Sequence, residues 1–189
     1  KQRKALKDRE GDADGIPHLL SMTATPIPRS LALVLYGDLD RSLLDEYPVG
    51  RKPIETFLVT KQNKRDMFDK MQEEMDAGRQ AFVVCPLIEE SDALGVKSVS
   101  EVYEQFEMGP FRAYNLAMLH GKMKTAEKDD VMKRFQDGEI DMVISTTVVE
   151  VGVDIPNATV MFIEGAERFG LAQLHQLRGR VGRGEHASF

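Results

Sequence analysis

Residues 114–145, YNLAMLHGKMKTAEKDDVMKRFQDGEIDMVIS, change hydrophobic period twice within one stretch. The apolar run from Leu116 to Leu119 predicts a strand over residues 114–119. In residues 125–136, Val131, Met132 and Phe135 recur at helical spacing, and Gly138 is placed to end that helix. Residues 140–145 return to an apolar strand. Working outward, Ala81-Phe82-Val83-Val84-Cys85 predicts a strand within residues 80–86, followed by a loop and a helix over 98–107. Residues 54–59 alternate like a strand, and residues 63–77 space Met67, Phe68, Met71 and Met75 as a helical stripe. Residues 159–164 give one more apolar strand. Strands that alternate with helices and read as unbroken apolar runs predict an α/β fold, a parallel sheet with helices on both faces. In such sheets ligands sit at the carboxyl ends of the strands.

Towards the amino end, residues 1–15 are highly charged and read as a helix remnant entering a loop. Residues 18–22 are a short apolar strand that ends at Thr23-Ala24-Thr25-Pro26-Ile27-Pro28-Arg29, because proline lacks the donor a strand interior needs. Residues 30–35 suit a short helix capped by Ser30, and the turn-rich residues 47–51 suit a linker. Lys1 in place of Met, and the close of the sequence directly after a charged loop, predict a piece of something longer.

The 189 residues, 42% hydrophobic and 30% charged, suffice for one full domain and an appendage. A single cysteine, Cys85, leaves neither an internal disulfide nor a thiolate metal cluster, which predicts a reducing, cytoplasmic setting. No apolar run approaches the roughly 18 residues of a membrane span, so the expectation is a soluble chain without a membrane partner. With 25 Lys and Arg against 31 Asp and Glu the formal charge is -6, so any binding of nucleic acid must be local.

Phosphate-binding signals are selective. The only Gly-Lys pair, Gly121-Lys122, has Leu116 where a phosphate-wrapping loop needs its first glycine and Met123 where it needs a hydroxyl. Leu43-Leu44-Asp45-Glu46 imitates a magnesium-binding strand end, but Tyr47-Pro48 follows and it reads as solvated linker. By contrast, Gln176-Leu177-Arg178-Gly179-Arg180-Val181-Gly182-Arg183 sets three guanidinium forks among glycines that let the backbone bend, a composition suited to phosphate oxygens. A surface turn with counter-ions is the bland alternative. His120 and His175 have no carboxylate or thiol at ligand spacing and read as satisfied structural histidines.

That arginine string resembles motif VI of superfamily-2 helicases. In order along the chain, Thr23-Ala24-Thr25 is similar to motif III, residues 82–91 to motif IV, Leu119-His120-Gly121 to the block that follows, and residues 145–154 to motif V. The resemblance implies two RecA-like lobes with ATP in the cleft between them. Residues 1–50 would be the remnant of the first lobe with its linker, and residues 51–189 the second, helicase C-terminal lobe, truncated at its carboxyl end. The implied P-loop and acidic box, which would hold most of the ATP and Mg2+, fall in the first lobe before Lys1.

Residue by residue, the resemblance implies Arg180 as the arginine finger with Arg183 beside it, Gln176 as monitor of the nucleotide state, and Asp154 and Gly152 near the nucleotide. Thr146, Thr147, Arg29 and His120 would contact DNA, and Thr23 and Thr25 would couple the two sites. Plainer roles stand beside these: a helix cap for Gln176, a turn for Asp154, N-caps for the threonines, an exposed charge for Arg29. Met22 to Arg29 and residues 166–180 are similar to the superfamily branch that holds both fork-remodelling and transcription-repair coupling motors. Within it, Tyr36-Gly37-Asp38-Leu39-Asp40, and Asp45-Glu46 before Pro48-Val49-Gly50-Arg51-Lys52-Pro53-Ile54, resemble the members that remodel forks and Holliday junctions on double-stranded DNA. A transcription-repair coupling translocase and a non-catalytic RecA-like binding module are the alternatives. The expected whole protein is a monomer. Without the rest of their sheet, residues 17–35 predict self-association, disorder or non-native packing.

Overall fold

Among the described residues, four apolar runs become strands because each finds a parallel neighbour on which to satisfy its backbone. They are β1 (Gln80–Cys85), β2 (Leu116–Leu119), β3 (Met142–Thr146) and β4 (Ala158–Ile163), in the order β2-β3-β1-β4. The structure is a computed structural model that describes Ser42 and residues 52–86, 92–146 and 155–189, all within one unit, Leu39–Phe189. Register pairs Val83 with Ile144 and Phe162, and Leu119 with Ser145.

The pleat sends alternate side chains to opposite faces. On one face, α1 (Lys64–Asp76) and α2 (Asp92–Glu107) set Met71, Met75, Val99 and Phe106 over Ala81, Val83, Cys85 and Ile144. Phe68, Phe106 and Phe111 meet edge-on or tilted there, with 4.9 Å between the Phe106 and Phe111 centroids. Such tilted arrangements match positive ring edges to negative faces. On the other face, α3 (Thr125–Gln136) sets Met132 and Phe135 against Leu119, Val143, Ala158 and Val181. The sheet is thus covered on both sides, as the unbroken apolar runs require. Gly138 leaves α3 at φ 79°, the left-handed turn its position predicts.

Several sequence expectations shift. Residues 54–59 do not form a strand: Ile54 makes an isolated bridge to Ser188, and no further ladder partner lies alongside among the described residues. Tyr114 is outside β2 because its amide donates to the Phe111 carbonyl (3.1 Å) in a turn and its hydroxyl reaches Asp76 (2.7 Å). Ile140 is buried but precedes β3, since Asp141 and Met142 both donate to the Asn115 carbonyl and turn the chain into the sheet. The helix expected over 98–107 begins earlier, at Asp92. A short helix, α4 (Leu171–Arg178), follows a 3-10 turn at Ala166–Arg168 and has no fully buried side chain, so it carries little apolar period to read.

Among the described residues no helix is long and apolar enough to cross a membrane. The strand at 18–22, the helix at 30–35, the linker at 47–51 and the packing expected for residues 17–35 lie outside the described residues.

Candidate functional site

The arginine string occupies α4 and the loop that leaves it. Gln176 is exposed on the helix, and Arg178, half-buried, has Nη2 at 3.2 Å from Nδ1 of His175. After Gly179 the chain keeps turning: the Arg180 amide donates to the Leu177 carbonyl (2.9 Å), and Val181 drops into the core at 0% exposure. That buried valine divides the two arginines. Arg180 precedes it, half-buried, while Arg183 follows, exposed, and donates from Nε to the Gly179 carbonyl (3.2 Å), closing the loop on itself.

Between them, Gly182 has φ 70°, a left-handed conformation that side chains other than glycine's resist. A Cβ on it would also lie 2.9 Å from Ile54 Cγ1, and one on Gly184 would lie 2.4 Å from the Pro156 carbonyl oxygen. Of the two glycines quoted from the sequence for their bending, Gly182 therefore also serves close approach, as does Gly184 just past the string. Ile54, quoted from the sequence as the end of the Pro48 to Ile54 stretch, and Pro156 wedge the loop, a role recognisable only once the chain is folded.

A second cluster lies at the carboxyl edge of the sheet. Thr146 ends β3, and His120 follows β2 one step past the Leu119 and Ser145 pair, which places the two residues on adjacent strand ends. Thr146 is 2% exposed, and its Oγ1 is a buried atom with no hydrogen-bond partner among the described residues; the same holds for Nδ1 of His120. The expectation of a satisfied structural histidine at 120 is therefore corrected, because the strand end turns this nitrogen inward without supplying a mate. An unpaired buried polar atom is disfavoured by about 1–3 kcal/mol, so each of these favours a polar partner that the described residues do not supply.

Along the same edge, burial pushes the Cys85 thiol up to about 12, with Glu164 adding to the effect, and the sulfur is an inert core atom. Just beyond, the Glu164 amide donates to the Val84 carbonyl (2.9 Å), tying the end of β4 to β1.

The donor set of the arginine loop is cationic and planar, which fits phosphate oxygens. Among the described residues no group of three His, Cys, Asp or Glu side chains is placed to hold a metal ion. Thr23, Thr25, Arg29, Thr147, Gly152 and Asp154 lie outside the described residues.

Comparison with known proteins gives a consistent result. Residues 63–185 match the helicase conserved C-terminal domain. The ATP-dependent DNA helicase RecG of Synechocystis is 50% identical over the whole of this chain, which covers 22% of that protein. The Bacillus subtilis protein of the same name is 51% identical over the whole chain, covering 27% of that protein. The chain thus spans about a quarter of the length of these curated relatives. A solved structure of RecG bound to a three-way DNA junction superposes with a TM-score of 0.70 at 49% identity, covering 88% of this chain and 22% of that one.

Proposed function

Because the chain belongs to the helicase conserved C-terminal domain family, we propose that it is the second motor lobe of an ATP-driven DNA translocase that remodels branched double-stranded DNA, such as stalled forks and Holliday junctions. The observation that carries this reading is the seating of the arginine loop: Val181 anchored in the core, with Gly182 and Gly184 wedged against neighbours, fixes the backbone that bears Arg180 and Arg183. A charge-stabilising group contributes most when its position is set before the reaction begins.

In this reading Arg180 reaches across a cleft to the γ-phosphate held by a P-loop lobe, with Arg183 beside it and Gln176 sensing whether the phosphate is present. Asp154 and Gly152 lie near the nucleotide. A magnesium ion bound with the nucleotide, held mainly by residues of the P-loop lobe, would supply charge neutralisation at the phosphates. Thr146, Thr147, His120 and Arg29 hold the DNA backbone, a sequence-independent mode of contact suited to a motor. The place of Thr146 and His120 at the carboxyl ends of adjacent strands, where ligands of such sheets sit, supports that assignment. Thr23 and Thr25 couple the two sites.

Closure draws the arginines onto the phosphates, hydrolysis releases them, and the DNA-holding strand ends shift along the duplex. The relatives named above favour branched DNA over coupling to transcription. The whole protein acts as a cytoplasmic monomer.

The test is ATP turnover in a polypeptide that joins a P-loop lobe to this chain. Arg180→Ala should lower kcat by about 10³-fold or more, the range of arginine fingers, while ATP binding stays within a few-fold. The chain alone should turn over no ATP above its own Arg180→Ala control. Wild-type turnover by the Arg180→Ala protein, or substantial turnover by the chain alone, would overturn the assignment.

A further inference from the structure

The arginine loop is held by a residue from the opposite end of the described chain. Gly182 leaves no room for a side chain because Ile54 fills it: a Cβ there would meet Ile54 Cγ1 at 2.9 Å and Cδ1 at 3.2 Å. Ile54 is itself pinned, by a parallel bridge to Ser188 and by the Glu55 amide donating to the Ser188 carbonyl (3.0 Å). Its side chain also packs on the core cluster that contains Val181. The two glycines flanking Arg183 are therefore stopped on both sides, one by the Ile54 side chain and the other by the Pro156 backbone. Any residue offers a backbone carbonyl. Only a side chain of suitable shape at position 54 offers the other stop.

We propose that Ile54 is a positioning residue for Arg180 and Arg183, acting through Gly182 and Val181 and touching no substrate. The proposal rests on the arginine assignment made above. It also gives the loop a connection to the rest of a two-lobe motor, because Ile54 stands three residues beyond residues 47–51, which the sequence reads as the linker. Ile54 reaches the loop through its side chain and is bridged to Ser188, whose neighbour Phe189 is hydrogen-bonded to β4, so a displacement of residue 54 would be felt by the arginine backbone and by the sheet edge together. Small displacements of this kind matter, since misplacing a reacting group by about 1 Å can reduce a rate by about 10²-fold.

The experiment uses the polypeptide that joins a P-loop lobe to this chain and measures kcat and KM for ATP with saturating DNA, alongside urea midpoints. Ile54→Ala should lower kcat about 10-fold with KM within about 2-fold, the signature of a contact that matters only in the transition state. Ile54→Val, which keeps Cγ1, should recover kcat to within about 2-fold. Ile54→Leu keeps volume but moves the branch, so it should lose turnover with its urea midpoint unchanged, and it carries the test should the alanine variant not fold.

Added to a protein that already carries both Arg180→Ala and Arg183→Ala, the Ile54 change should cause no further loss, because it acts only through those two groups. Unchanged kcat in the leucine variant, equal losses in the valine and alanine variants, or a further loss on the background that lacks both arginines would each refute a positioning role. An Arg180→Ala protein with wild-type turnover would instead remove the arginine assignment, so the two failures are told apart.

Discussion

At the scale of single residues, the glycines of the arginine string divide by what their backbone must do. Gly179 has no left-handed φ, and a Cβ on it would rest at 3.5 Å from the Gln176 and His175 carbonyl oxygens, ordinary contact that a small side chain tolerates. Gly182 combines φ 70° with an approach of 2.9 Å to Ile54. A left-handed conformation disfavours an L-residue by roughly 1–2 kcal/mol, and a methyl pressed onto an anchored aliphatic side chain adds to that. Gly182→Ala should therefore destabilise the chain by about 1–3 kcal/mol in urea unfolding, and Gly179→Ala by under about 1 kcal/mol. Equal effects at the two positions would show that the wedge is not rigid.

At the scale of elements, the start of β4 is fastened to the end of α1 by polar groups. Thr159, buried in β4, donates to Glu74 Oε2 (2.7 Å), and Arg79 pairs with the same carboxylate through Nε and, at 3.1 Å, through Nη2. Beside them Gln80 donates from its side-chain Nε2 to the Ile140 carbonyl (2.7 Å), and Asn157 donates from Nδ2 to the Gly78 carbonyl (2.9 Å). Partial burial opposes ionisation of Glu74, but the hydrogen bonds from Arg79 and Thr159 outweigh it and hold the carboxyl below its ordinary value of 4.5.

The sign of the linkage follows from that direction. A carboxyl whose folded pKa is depressed adds stability above its unfolded value, and that stability is lost as pH falls through the folded one. Glu74→Gln should then lower stability at neutral pH and flatten its fall below about pH 4.5, as read by thermal midpoints across an acid series. An unchanged acid limb would mean that the exposed part of the pair is screened to nothing.

At the scale of the whole molecule, charge is divided between the two faces. The helices α1 and α2, which cover one face, carry nine carboxylates against four cationic side chains, whereas α3 on the other carries three of each. Bulk attraction to DNA is therefore weak, and the proposed grip relies on the hydroxyls of Thr146 and Thr147 and on His120, with Arg29 as its one arginine. A grip with so few cations releases few counterions. DNA affinity measured against salt should accordingly have a shallow log–log slope, of magnitude about 2 or less, in contrast to the steep slope of a protein that neutralises many phosphates. A slope near -6 or steeper would relocate the contact to a basic surface.

The sequence by itself determined the parallel α/β class, the position of β1, the helices at Lys64–Asp76 and Thr125–Gln136, and the family. It did so because apolar period and motif spacing are local properties, written in residues a few positions apart. Tertiary structure alone decided that residues 54–59 make one bridge instead of a strand, since a ladder exists only where another backbone lies alongside. It also decided that Nδ1 of His120 is buried without a mate and that Ile54 is the stop behind Gly182. Both depend on which residues far apart in the chain come to surround a given point, and no local pattern records that.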